Sequence, residues 1–114
     1  MVILSCDNAS GGAVLQAGPR SNAPWRGNFL NTPFEGNIRA PAIIRGPGAV
    51  PAGVVTNETL AAVDRLLTLA GTVGASKFVP KDRPIDGVDA SAFMLGKSDT
   101  SGRDKYMFFA RTAN

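Results

Sequence analysis

An apolar opening run, Val2-Ile3-Leu4, ends in Ser5-Cys6-Asp7-Asn8 and is followed by Ser10-Gly11-Gly12. An adjacent Asp and Asn at the carboxyl end of a buried strand offer hard oxygen donors of the kind calcium or magnesium takes, and a Gly pair lets backbone approach closely. The same residues also suit a strand-end turn in which Asp and Asn cap their own backbone. Residue chemistry leaves both readings open, the turn being the commoner use. Cys6 precedes the pair, but a nucleophilic thiolate needs a neighbouring base or cation. A buried structural thiol is the expectation.

Other candidates are less pointed. Glu35 precedes a Gly and lies four residues ahead of Arg39, so an ion pair or a backbone-organising carboxylate is the expectation, with an acid or base role as the alternative. Trp25 beside Arg26, with Phe29 nearby, suits an aromatic anchor or a ligand-facing surface. Asp86 and Asp89 lie in a turn-rich stretch without EF-hand spacing and should organise that loop. The segment RGPGAVPAG has neither the Lys-Ser/Thr end of a phosphate loop nor a dinucleotide fingerprint, and reads as a turn.

Composition narrows the chemistry. The 114 residues include no histidine and one cysteine. That removes Ser-His-Asp and Cys-His catalysis, internal disulfides and the usual Cys/His zinc site. The twelve basic residues exceed the nine acidic ones by three but are scattered singly, so nucleic acid is not an expected partner. No stretch approaches the roughly 20 apolar residues of a membrane span, and the chain as written carries no signal peptide and reads as cytoplasmic.

These residues must be positioned by few elements. Val2–Leu4 reads as a buried strand, and residues 9–33, rich in Gly, Pro, Asn and Ser, as a long loop. Ile38–Arg45 is a second candidate strand with Pro41 at an edge or bulge. The main helix is expected over about residues 58–70, with Leu60, Val63, Leu67 and Ala70 facing the core, Asn57 as its cap and Gly71 just past its end. Ala92–Leu95 suits a short helical turn and Lys105–Arg111 a terminal strand. A single domain of residues 1–114 with one modest core is the expectation.

In order, VILSCDNASGG, PWRGNFLNTPFEGNIRAPAIIRGPGAVPAG, TNETLAAVDRLLTLAG and VPKDRPIDGVDASAFMLGK resemble the later part of the catalytic domain of arylsulfatase-type sulfatases. The resemblance implies an α/β fold: a partial sandwich of the alkaline-phosphatase superfamily, with a few strands, one main helix and long loops. It also implies sulfate-ester hydrolysis with a formylglycine nucleophile and a divalent cation, usually calcium. Asp7 and Asn8 match the family's metal-ligand pair, and Arg26, Glu35 and Arg39 become candidates for substrate binding.

The departures bear on activity. Cys6-Asp7-Asn8-Ala9 lacks the Pro and Arg of the formylglycine motif, so Cys6 is not its precursor, and no residue is assigned a catalytic role. The other metal-binding Asp residues and the catalytic histidines of such enzymes would lie upstream. Asn28-Phe29-Leu30-Asn31 stand where many sulfatases carry a sulfate-contacting Lys, Asn37 replaces the second Gly of Glu-Gly-Gly, and a C-terminal subdomain would follow Arg111. The expectation is an internal sulfatase piece with half a cation site and weak or absent calcium binding, inactive by itself. The alternatives are a self-associating scaffold module and one half of a split sulfatase completed by another chain, which alone would act on a sulfate ester.

Overall fold

The computed structural model describes residues 1–7, 22–27 and 34–107. Contacts divide the chain into two compact units, one containing Met1–Ile44 and the other Arg45–Met107, where the sequence reads as one partial domain. Most of the expected 9–33 loop and the 108–111 part of the expected terminal strand lie outside the described residues. Residues 105–107 form no strand.

In the first unit, β1 (Val2–Ser5) pairs with β2 (Ala42–Arg45) in a two-stranded sheet. The Cys6 N–H, just past β1, donates to the Pro41 carbonyl, just before β2, at 3.4 Å, so the strands run antiparallel. Val2 and Leu4 are exposed, where the sequence anticipated a buried strand. The expected strand from Ile38 is shorter, because a helical turn, α1 (Glu35–Ile38), occupies its start. Pro41 has no N–H for a ladder, and pairing begins only after it.

The second unit is built around α2 (Arg65–Thr72), entered through a 3-10 turn at Ala62–Asp64. The helix thus starts later than residue 58. Residues 57–60 are not helical, and the Glu58 carboxylate accepts the Ser101 N–H at 2.8 Å instead of serving a helix. Asn57 is therefore not the cap; the Asp64 carboxylate takes the Ala61 N–H at 2.7 Å. Gly71 lies inside the helix, not beyond it: a Cβ there would collide with the Ser91 hydroxyl and the Asp89 carboxylate. The stop is Gly74, with φ 71, after which the Ala75 N–H reaches back to the Ala70 carbonyl at 2.7 Å, the hydrogen bond of a Schellman ending.

The buried face of α2 is not the expected Leu60/Val63/Leu67/Ala70 stripe. Asp64 and Thr68 are buried, whereas Leu60, Val63, Leu66 and Leu69 are exposed. Against that face lie residues 86–90 and α3 (Ser91–Met94), one residue earlier than the expected turn, with Ala90 and Met94 buried. Side chains do the work of a ladder here. Thr68 Oγ1 donates to the Val88 carbonyl at 3.3 Å and accepts the Ala90 N–H at 3.1 Å, and the Val88 N–H donates to Asp64 at 2.8 Å. Among the described residues no helix is long and apolar enough to cross a membrane.

Candidate functional site

The end of β1 presents Asp7, an exposed carboxylate one residue past the Cys6–Pro41 hydrogen bond. Asn8, the other half of the expected ligand pair, lies outside the described residues. Cys6 is exposed and not the buried thiol expected from sequence, because β1 has no layer packed over this end among the described residues. Those residues contain no group of three or more Cys, Asp or Glu that could hold a metal ion. One carboxylate falls well short of the six to eight oxygens calcium takes. The described residues therefore do not by themselves make up a cation site.

Two residues before Pro41, the chain carries the other candidates. Arg39 donates its Nε–H to Glu35 at 2.5 Å, across one turn of α1, and its guanidinium stacks over the Trp25 ring at 4.0 Å. Arg26 stacks over the Phe34 ring at 4.1 Å. The segments 22–27 and 34–39 are thus cross-braced, each lending rings or guanidiniums to the other. The Gly36 N–H donates to the Arg26 carbonyl at 2.8 Å, and a Cβ on Gly36 would collide with the Arg26 and Gly27 carbonyls. Glycine is what lets these backbones touch. Sequence spacing found the Glu35–Arg39 pair; the two ring contacts were not foreseen as a brace.

A second polar constellation escaped the sequence reading. Arg103 forks onto Asp64, with Nε to Oδ2 at 2.7 Å and Nη2 to Oδ1 at 2.5 Å, and also donates to the carbonyls of Asp86 at 3.0 Å and Lys105 at 3.1 Å. Burial pushes the Asp64 carboxyl up, but the Arg103 guanidinium and the N–H groups of Val88 and Ala61 outweigh it and hold Asp64 below its ordinary value. The signal was present: Asp64 lies four residues before Thr68 and seven before Gly71, on one helical face, and a carboxylate on a core-facing stripe calls for a cation. An open polar cavity of about 400 Å³ lies beside this pair, between Asn57–Thr59 and Gly102–Asp104. Nε and both terminal nitrogens of Arg103 are engaged by Asp64 and by the Asp86 and Lys105 carbonyls, so the arrangement clasps the unit together.

Comparison with known proteins places this geometry in context. The chain is 36% identical over 113 residues to N-acetylgalactosamine-6-sulfatase of Canis lupus familiaris, covering 96% of this chain and 20% of that protein. It is 36% identical over 102 residues to steryl-sulfatase of Rattus norvegicus, covering 84% of this chain and 17% of that protein. Arylsulfatase G of Canis lupus familiaris is 40% identical over 72 residues, 63% of this chain and 13% of that protein. The chain thus spans about one fifth or less of the length of these relatives. No protein-family model and no solved structure matches it.

Proposed function

We propose, from the premise that this chain belongs to the sulfatase family, that it is part of a sulfate-ester hydrolase domain and lends Asp7 and Asn8 to a divalent-cation centre. The observation that carries this reading is the exposed Asp7 at the end of β1, in a chain similar to sulfatases over nearly its whole length. In this reading the strands and helix described above are one portion of an α/β sandwich. Calcium is the expected cation, and its remaining ligands come from outside this chain.

The chain by itself does not turn over substrate. Ester cleavage needs an activated nucleophile, and positioning groups cannot replace one. Cys6 is the sole thiol, and among the described residues no acid, base or cation engages it. Calorimetric titration of the 114-residue chain with calcium should show a dissociation constant no tighter than about 0.1 mM, lost in Asp7→Asn, and no hydrolysis of an aryl sulfate above a protein-free blank. A submicromolar calcium site, or measurable turnover, would overturn this reading.

A self-associating module is the second reading. It is favoured by the exposed apolar side chains Val2, Leu4, Ile43, Val55 and Leu66, since unpaired edges and bare apolar surface are commonly covered by a further chain. That chain is a second copy here; in the split-enzyme variant it is the polypeptide carrying the nucleophile.

A further inference from the structure

In the second unit, residues 54–60 run without helix, turn or bend, and residues 51–60 are all exposed. Val55 is 95% exposed. Among the described residues, the backbone N–H and carbonyl groups of Val54, Val55, Thr56 and Asn57 make no hydrogen bond. A straight stretch of this kind is a strand edge without its neighbour. Both of its ends are fastened. Upstream, the Pro51 ring occupies the place a Gly96 Cβ would take. Downstream, the Glu58 carboxylate accepts the Ser101 N–H at 2.8 Å and the Ala61 N–H donates to Asp64 at 2.7 Å. Much of the ordering entropy that a free peptide loses on pairing is therefore met within the folded chain.

Composition selects what can pair with this edge. Val54, Val55 and Thr56 are β-branched and suit a pleated ladder. No charged residue lies between Arg45 and Glu58, and no proline between Ala52 and Asn57, so the two devices that most often block an edge are missing from it. Two copies brought together antiparallel would set neutral β-branched side chains against each other across a two-fold axis, with no like charges opposed. We propose that residues 54–57 form an edge strand that pairs antiparallel with the same segment of a second copy. This rests on the self-associating reading above and gives it a surface and a main-chain mode of contact.

The test combines sedimentation velocity with amide hydrogen exchange on the whole 114-residue chain, from about 1 to 100 μM. Residues 54–57 should exchange as free amides at the low end and about tenfold more slowly where the dimer dominates. Successive N–H groups of a strand point to opposite sides, so one of Val54→Pro and Val55→Pro must remove a donor facing the partner. That variant should weaken association about tenfold or more, since each substitution acts twice in a symmetric pair. Its thermal midpoint as a monomer should match the parent's, because the lost N–H has no partner in a lone copy. Exchange on the parent chain decides the pairing even where a proline variant lowers that midpoint. A single monomeric boundary at every concentration overturns both this pairing and the self-associating reading. Association with residues 54–57 still exchanging freely, or with both proline variants associating like the parent, overturns the pairing alone. Slow exchange in the monomer also overturns it, since another segment of the same chain would then cover the edge.

Discussion

Asp64 and Arg103, 39 residues apart in the chain, meet through two parallel hydrogen bonds, and Asp64 is almost fully buried. Each oxygen of that carboxylate also takes a backbone N–H, Val88 on Oδ1 and Ala61 on Oδ2. One side chain therefore ties the entry of α2, the 86–88 segment and residue 103 together. The partners that remain after its removal are buried donors, and leaving donors unpaired costs more than the pair's own net attraction.

Asp64→Asn should therefore destabilise the second unit by about 3 kcal/mol, the lower end for breaking a buried pair. Chemical denaturation monitored by circular dichroism measures it. Arg103→Met should cost at least as much, because it leaves the nearly fully buried Asp64 carboxylate with backbone donors but no counter-charge.

The same pair sets an acid limit. A carboxyl held below its ordinary value contributes stability that is fully present above the unfolded value, about 3.9, and is lost as pH falls through the lower folded value. The direction is that of Asp64. The midpoint of denaturation should be insensitive to Asp64 between about pH 6 and 8 and fall steeply below pH 4. In Asp64→Asn the part of that acid slope due to this group should vanish.

What the sequence made legible were the local features. The β-branched run marked β1, the closeness of Glu35 and Arg39 in the chain suggested their ion pair though not the helical turn that carries it, and helical periodicity marked the body of α2. Partners distant in sequence stayed hidden. Residues 57–60 look like a helix start, yet the Glu58 carboxylate is taken by Ser101, 43 residues on, and nothing local announces that. The apolar stripe misled because Asp64 and Thr68 pack toward residues 86–90, whose backbone needs polar partners. Leu60, Val63 and Leu66 were left exposed as a result. Of the two residues proposed as cation ligands from the resemblance, Asp7 could be placed, exposed at the end of β1, and Asn8 lies outside the described residues.

Gly71 offers a sharper packing test than any apolar residue of this small core. Its missing Cβ is the space into which the Ser91 hydroxyl and the Asp89 carboxylate fit, and Asp89 in turn takes the Ser91 N–H at 2.8 Å. Helix propensity alone favours Gly71→Ala by about 1 kcal/mol. Overpacking of this kind costs about 1–3 kcal/mol, and the contact involves backbone-anchored groups, so steric cost should win. A thermal midpoint for Gly71→Ala above the parent's would show that α3 can move aside.

The Glu35–Arg39 pair should behave differently, since both side chains are about half exposed. Glu35→Gln removes a solvent-screened i, i+4 ion pair while Arg39 keeps its seat on Trp25. The stability change should stay within about 0.5 kcal/mol. Trp25 emission should shift little. A loss several times larger would mean that the carboxylate, not the rings, holds the 22–27 and 34–39 segments together.

Self-association follows from what α2 leaves uncovered. Leu66 is 57% exposed and Val73 71%, while Val55, on the segment leading to the helix, is 95% exposed. Covering an apolar side chain of this size is worth about 1.5–3 kcal/mol, so a few of them, matched on a second copy, can drive association at micromolar concentration. Sedimentation velocity across about 1 to 100 μM should show a concentration-dependent shift from monomer to dimer or larger species. Leu66→Glu should move that transition to higher concentration with little change in thermal midpoint, because a residue so exposed contributes little to the fold of a lone copy. A single monomeric boundary over the whole range would sink the self-association reading and leave the sulfatase reading untouched.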